Sequence, residues 1–317
     1  MSLGTAQALR SLLDERDRQA LVAIAGKRVR FDEPLAPLTS WRIGGPADAY
    51  IRARDEDEVA EIMRWSRRRR LPWLVLGSGS NLLVGDGGVR GIVLQLGGTF
   101  AEISVSVQGD AVCVSAGASA SMAALCAKAA SSGARGIGSL SGIPGTVGGS
   151  LRMNAGTDRE VGDFATEVWV QSPAKPQAHP VTLRYYYRHT SLACDALVSR
   201  VSLAFERGDV PDVRSEMQQR LVRRKKTQPI ALPNAGSCFR NPSGDKAARL
   251  IESVGAKGWR EGDAQVSPLH ANFVNNLGAA SAKDVCTLLA RMRRAVFERR
   301  GVALELEVHL VGVFVDV

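Results

Sequence analysis

Nine consecutive residues, Gly142-Ile143-Pro144-Gly145-Thr146-Val147-Gly148-Gly149-Ser150, carry four glycines and one proline, and Asn154-Ala155-Gly156 follows closely. Such a stretch resists regular helix and strand. A shorter one, Gly77-Ser78-Gly79-Ser80-Asn81, lies between a short apolar strand candidate at 73–76 and Leu82-Leu83-Val84. Glycine lets backbone approach a ligand closely and aim its amides at phosphate oxygens, and Ser and Asn add side-chain donors. The shorter stretch, 77–81, is neither GxGxxG leading into a long helix nor GxxxxGK[ST]. Alone, it is at least as well explained as a structural turn. The longer stretch, 142–150, is too long for an easy packing explanation. Two such loops in one domain point to an extended cofactor.

Around these loops the pattern is mixed. Leu9, Leu12, Leu13 and Leu21 predict a helix over 5–24. Residues 27–52 are broken by Pro34, Pro37, Gly44, Gly45 and Pro46. Asp55 is placed to cap a helix through Arg69 with Val59, Ile62 and Met63 on one face, and Pro72 ends it. Residues 89–96 and 101–116 are β-rich, with a hairpin signature turning at Gln108-Gly109-Asp110. Residues 119–132 predict an Ala-rich helix, 164–205 several strands and 208–213 a connector. Helices over 212–226, 244–254 and 282–299 and strands over 271–276 and 303–314 follow, with a loop at 228–243. Strands and helices mix without regular βαβ alternation, an α+β pattern. A length of 317 residues suggests two domains.

A formal net charge of +9 attracts anions. The densest basic runs are Arg67 to Arg70, read as a solvated helix face, and Arg223-Arg224-Lys225-Lys226. Few aromatics interleave them, so no stacking platform for single-stranded nucleic acid is expected. Five scattered cysteines, none in a CxxC pair, argue against a zinc site or a disulfide framework. The amphipathic N-terminus lacks the apolar core of a signal peptide, and no stretch approaches a membrane span. A cytoplasmic protein with no bound metal is expected.

Seven segments in order make a specific resemblance: LTSWRIGGPAD (38–48), LGSGSNLLVG (76–85), SGIPGTVGGSLRMNAG (141–156), YRHTSL (187–192), NAGSCFRNP (234–242), GDAQVSPLHANFVNN (262–276) and LELEVHLVG (304–312). They resemble the UDP-N-acetylenolpyruvoylglucosamine reductase family from about residue 35 to the C-terminus. The shorter, second type is indicated, because little chain separates Arg188 from the strand near 196, or Pro242 from the helix near 246. The resemblance implies an α+β fold with a non-Rossmann FAD-binding domain of the vanillyl-alcohol oxidase type, over 1–207. A smaller C-terminal substrate-binding domain would span 208–317, its final strand returning a catalytic Glu to the flavin. It implies non-covalent FAD, held by Gly77, Ser78, Gly79, Ser80, Asn81, Gly142, Ile143, Pro144, Gly145, Thr146, Gly148, Gly149 and Asn154. NADPH is the implied co-substrate and UDP-N-acetylglucosamine enolpyruvate the implied substrate, in a monomer that needs neither nucleic acid nor membrane. The activity would serve cell-wall biogenesis, cell shape and cell division. The segment Thr157-Asp158-Arg159-Glu160 departs from the family, which more often has small or aromatic residues there.

Read without the family, Ser237 is a loop serine in Asn-Ala-Gly-Ser-Cys-Phe, Arg188 a surface arginine after three tyrosines, and Glu307 one acid on the wet face of an alternating strand. Alternation does not choose between Glu305 and Glu307. The family motif selects Arg188, Ser237 and Glu307 as catalytic. Tyr187, Lys225, Asn234, Gln265 and His270 are candidate substrate contacts, with Asn272 beside them. Two other classes compete. A covalent flavin oxidase would need a His or Cys on the flavin loops, and none lies within 77–81 or 142–150. A binding module would not need Arg188, Ser237 and Glu307, and no nucleic-acid motif is present.

Overall fold

In the computed structural model, which describes residues 10–315, helix α1 (Glu15–Ala25) starts later than the helix expected over 5–24. Asp14 and Asp17 form a capping box there, so the helix begins where its orphan amides find carboxylates. Leu12 is exposed and Leu13 buried, while Leu9 lies outside the described residues.

Strands β1 (Val29–Pro34) and β2 (Pro46–Ala53), helix α2 (Glu56–Arg69), and strands β3 (Trp73–Val75), β4 (Leu82–Val84) and β5 (Val89–Leu96) follow. A four-stranded sheet runs β1-β2-β5-β3, parallel except for the edge strand β1. Asp55 caps α2 as predicted, accepting from Glu58 N at 2.9 Å. Val59, Ile62 and Met63 of α2 pack with Ile51, Ile92 and Leu94 on one face of the sheet. Tyr50, Val89 and Val93 pack with Leu35, Leu76 and Val84 on the other. Burial on both faces explains the nearly continuous apolar run of β5. The arginine run at the end of α2 is not simply a solvated face. Arg69 Nε lies 2.6 Å from Asp17 Oδ1 and ties α2 to α1.

The second sheet is antiparallel. Strands β6 (Ile103–Gln108) and β7 (Ala111–Gly117) form the predicted hairpin, turning at Gly109 with φ +58°. Helices α3 (Met122–Ser131) and α4 (Val147–Arg152) come next, then β8 (Ala165–Gln171), β9 (His179–Val181), β10 (Tyr185–Tyr186), β11 (His189–Thr190) and β12 (Leu197–Glu206). The order is β6-β7-β12-β8-β9, with β10 and β11 a separate two-stranded hairpin. Val112, Val114 and Ala116 point inward against Leu125 and Ala129 of α3, in the same core as α2. The stretch over 136–156 is not one long loop. Thr146 caps α4, accepting from Gly149 N at 3.3 Å.

The remainder comprises α5 (Val210–Thr227), α6 (Ala247–Ser253), β13 (Arg260–Glu261), β14 (Ala264–Val266), β15 (Val274–Asn276), α7 (Ala282–Arg300) and β16 (His309–Val311). Helix α5 lies against the first core, to which its Val213 belongs. A second core gathers α6, α7 and the sheet β13-β14-β15, and it takes in Trp41, Ile43 and Leu83 from far upstream. Trp41 Nε1 donates to Val274 O at 2.7 Å and Asn276 Nδ2 to Trp41 O at 2.9 Å. Asp86 accepts from Ala282 N and Lys283 N, at 2.9 and 3.1 Å, at the start of α7. The strand expected over 303–314 is much shorter. Leu306 makes one bridge to Phe239, and β16 pairs parallel with β4 for three residues before Gly312 (φ +83°) turns the chain.

Candidate active site

The two glycine-rich segments meet face to face. Ser80 Oγ donates to Pro144 O at 3.0 Å. A Cβ on Gly77 would lie 2.9 Å from Thr146 Oγ1, and one on Gly145 would lie 3.2 Å from Ser80 Oγ. Between them opens a cavity of about 360 Å³, lined by Gly77, Ser78, Thr146, Gly148 and Gly149. Arg52, Ser119 and Arg152 complete its polar wall, and Val75, Leu76 and Leu96 are apolar. Ser119 Oγ is buried and has no partner among the described residues. Among the described residues the amides of Ser78, Gly79 and Ser80 find no protein acceptor. Unpaired donors, two arginines and apolar walls suit an anionic dinucleotide bearing a flat ring, so the residues present fit FAD.

Several glycines also have the packing explanation that the sequence did not suggest. A Cβ on Gly148 would sit 2.7 Å from Ala118 Cβ, and one on Gly79 would sit 2.7 Å from Leu38 O. Gly142 (φ +75°) leaves room for Arg224 Cδ, which a Cβ there would approach to 3.0 Å. Gly142 therefore seats α5, and Ile143 packs against the first core. Gly149, with only Thr146 Oγ1 near its Cβ position, stays open to the cavity.

Arg188 occupies the tight turn between β10 and β11 with φ +55°, a region that favours glycine or asparagine. Such a conformation persists where surrounding contacts over-determine it. Here Nε donates to Glu307 Oε1, Nη1 to Glu160 Oε1 and Nη2 to Gly156 O, each at 3.0 Å. The guanidinium carbon lies 4.9 Å from the centre of the half-exposed Tyr187 ring. Asn154 braces the turn by donating to Tyr186 O at 3.0 Å and to Glu160 Oε2, while its own Oδ1 accepts from Gly162 N at 2.9 Å. Its amide thus serves the arginine turn.

Glu307 stands where three segments converge. Its N–H donates to Cys238 O at 2.8 Å, and its carbonyl accepts from Asn81 Nδ2 at 3.1 Å. The first glycine loop, the Ser237 segment and the end of the chain are thereby joined at one residue. Side-chain exposures of 18%, 17% and 22% for Arg188, Glu307 and Glu160 place their charges largely out of water. Burial raises the pKa of Glu307 above the usual carboxylate value, with Arg188 pulling the other way. Glu160 is raised for the same reason, against the same arginine.

Ser237 follows Gly236, whose φ is +76°, and is half-buried. Among the described residues its hydroxyl has no hydrogen-bond partner. The loop around it is held rigidly. Asn272 accepts from Phe239 N at 3.0 Å and donates to Phe239 O at 2.8 Å, completely buried between them. Asn234 donates to Pro229 O and Leu232 O, at 2.9 and 2.8 Å, and accepts from Gly236 N at 3.0 Å. Both amides hold the backbone of the loop that carries Ser237. The neighbouring Cys238 thiol is pushed up to about 12 by burial, so it is a neutral packing group.

The other candidate contacts are more dispersed. His270 meets Phe273 edge-on at 4.7 Å between ring centres, and its Nδ1 accepts from Asn272 N at 3.3 Å. Burial lowers its pKa, helped by Lys257, so the ring is neutral at pH 7. Gln265 lies in the centre of the small sheet, on β14. Lys225 is exposed on the last turn of α5, whereas Arg224 packs over Gly142. Sequence reasoning missed Glu160, Ser119, Arg52 and Arg152. No local signal marks their place in the site, because only the fold brings these segments to the cleft and to Arg188.

A non-Rossmann cleft fit for FAD, in an α+β chain, defines a class. Residues 47–170 match the FAD binding domain family. The chain is an FAD-dependent flavoprotein oxidoreductase. Residues 228–311 match the family described as UDP-N-acetylenolpyruvoylglucosamine reductase, C-terminal domain. UDP-N-acetylenolpyruvoylglucosamine reductase 2 of Symbiobacterium thermophilum is 45% identical over 290 residues, 90% of this chain and 92% of that protein. The reductase of Moorella thermoacetica is 41% identical over 92% of this chain and 98% of its own. The crystal structure of the Thermus caldophilus reductase superposes with a TM-score of 0.74 at 34% identity, covering 89% of this chain and 97% of that one. The chain belongs to the UDP-N-acetylenolpyruvoylglucosamine reductase family.

Proposed function

We propose that this chain reduces UDP-N-acetylglucosamine enolpyruvate to UDP-N-acetylmuramate, a peptidoglycan precursor, with NADPH as electron donor. One observation carries the reading. Arg188 and Glu307 meet at 3.0 Å, and Asn81 of the first glycine loop holds the backbone of Glu307. A carboxylate clamp and an acid are thus tied to the cofactor cleft.

When bound, FAD supplies the enolpyruvyl methylene carbon with a hydride taken from NADPH. Negative charge then builds on the adjacent substrate carbon and spreads into the substrate carboxylate. Arg188 retains one unused N–H on each Nη atom, and these suit a carboxylate. Glu307, carrying a proton, donates a hydrogen bond to the enol-like oxygen and stabilises charge as it develops. Ser237 protonates the substituted carbon. An alcohol is a weak acid, but a carbanion-like centre is basic enough to take its proton. Solvent then reprotonates the serine oxygen. The cluster Arg223, Arg224, Lys225 and Lys226 offers positive charge toward the UDP pyrophosphate.

The test is a visible spectrum under anaerobic conditions. The flavin band should bleach with NADPH and return on adding the enolpyruvyl sugar. Bleaching without return sinks the substrate assignment and leaves the flavoprotein class intact.

A further inference from the structure

Two carboxylates share Arg188, and substrate binding would bring a third. Like charges this close in a half-buried site cannot all stay ionised, so one group must hold a proton. The contacts discriminate between the two glutamates. Glu160 accepts with both oxygens, Oε1 from Arg188 Nη1 and Oε2 from Asn154 Nδ2. Glu307 accepts through Oε1 alone, and among the described residues its Oε2 has no partner. Hydrogen bonds to both oxygens favour the charged form of a carboxylate, and an oxygen left without a donor is the easier one to protonate. The other charged groups facing the pair are Asp163 beside Glu160 and Arg240 beside Glu307. Asp163 Oδ2 is occupied by the backbone N–H of Glu160 at 2.8 Å.

We propose that Glu160 is a positioning residue that stays ionised on Arg188 and Asn154, and so makes Glu307 hold the proton when the substrate carboxylate reaches Arg188. It rests on the roles given above to Arg188 and Glu307. Glu160 touches no reacting atom and acts through its neighbours. The segment that departs from the family pattern would thus set the protonation state of the site.

The test uses the FAD-loaded enzyme and its two half-reactions. Reoxidation of reduced flavin by the enolpyruvyl sugar should fall as pH rises and Glu307 loses its proton. In Glu160→Gln, which removes one negative charge, that limb should move to lower pH by on the order of one unit. Glu160→Asp should restore it, and reduction by NADPH is the internal control. A limb unmoved in Glu160→Gln, yet abolished in Glu307→Gln, overturns the proposal. Should Glu160→Gln not fold, infrared difference spectra on adding substrate to the oxidised wild type and to Glu307→Gln decide instead. A protonated-carboxyl band present in the wild type and lost in Glu307→Gln supports the proposal. A band that persists in Glu307→Gln puts the proton on Glu160 and overturns it. Failure of the functional reading looks different: the wild type itself would not be reoxidised by the sugar.

Discussion

Arg188 and Glu307 are separated by 119 residues of sequence, yet Nε and Oε1 lie 3.0 Å apart. The pair joins the strained turn between β10 and β11 to the end of the chain. Neither partner is positioned by its own element alone. Arg188 depends on Asn154 and Glu160, and Glu307 on Asn81 and Cys238. The geometry of this pair is therefore a property of contacts between distant segments of the chain.

Ser237→Ala removes the proposed proton donor and no hydrogen bond found among the described residues. Anaerobic stopped-flow should show reoxidation by the enolpyruvyl sugar slowed by roughly 10²- to 10⁴-fold, the usual contribution of a positioned acid. Flavin reduction by NADPH should stay close to the wild-type rate. Equal loss of both half-reactions would contradict the donor role.

Glu307→Gln should keep its FAD and alter how stability depends on pH. Burial sets the folded pKa of Glu307 above its unfolded value of about 4.3. The stability contributed by such a group is full below the unfolded pKa and is lost as pH rises through the folded one. Measured against Glu307→Gln, the wild-type Tm should therefore decline from about pH 4.3 upward. A Tm difference that moves the opposite way overturns the argument, and a colourless variant would make Glu307 structural.

Asn272→Ala strips both hydrogen bonds from the buried backbone of Phe239. Leaving a buried N–H and C=O unpaired should cost about 2–4 kcal/mol. Urea unfolding would measure it. A loss below about 0.5 kcal/mol, with a large rise in KM for the sugar, would return Asn272 to substrate contact.

Gly148→Ala places a Cβ 2.7 Å from Ala118 Cβ and pushes α4 away from the end of β7. Overpacking of this kind costs about 1–3 kcal/mol. If the strain falls on the cofactor cleft, FAD affinity should drop by roughly 5- to 150-fold by flavin fluorescence titration. Adding Ala118→Gly should recover most of it, as coupled neighbours do. Unchanged affinity would mean the loops yield without disturbing the cleft.

Much of this molecule was decided locally. The Asp55 cap, the hairpin at Gly109, the last long helix and the α+β character are legible because each depends on residues a few positions apart. The family motifs likewise singled out Arg188 and Glu307, which the fold brings into contact. Other features have no local cause. Alternation could not choose Glu307 over Glu305, since only the fold brings Arg188 to one of them. Gly148 and Gly142 are required by Ala118 and Arg224, side chains on other elements. The strand expected over 303–314 shrank because β4 offers it three partners. The backbone hydrogen bonds of Asn234 and Asn272 could not be read from the sequence, because they depend on how the loop folds back on itself. Glu160 stood in a segment marked as unusual, but nothing local showed that it would meet Arg188. Local hydrogen bonding and apolar period set the elements, whereas the site rests on contacts between distant charges and packed surfaces, whose energies exist only once the chain has folded.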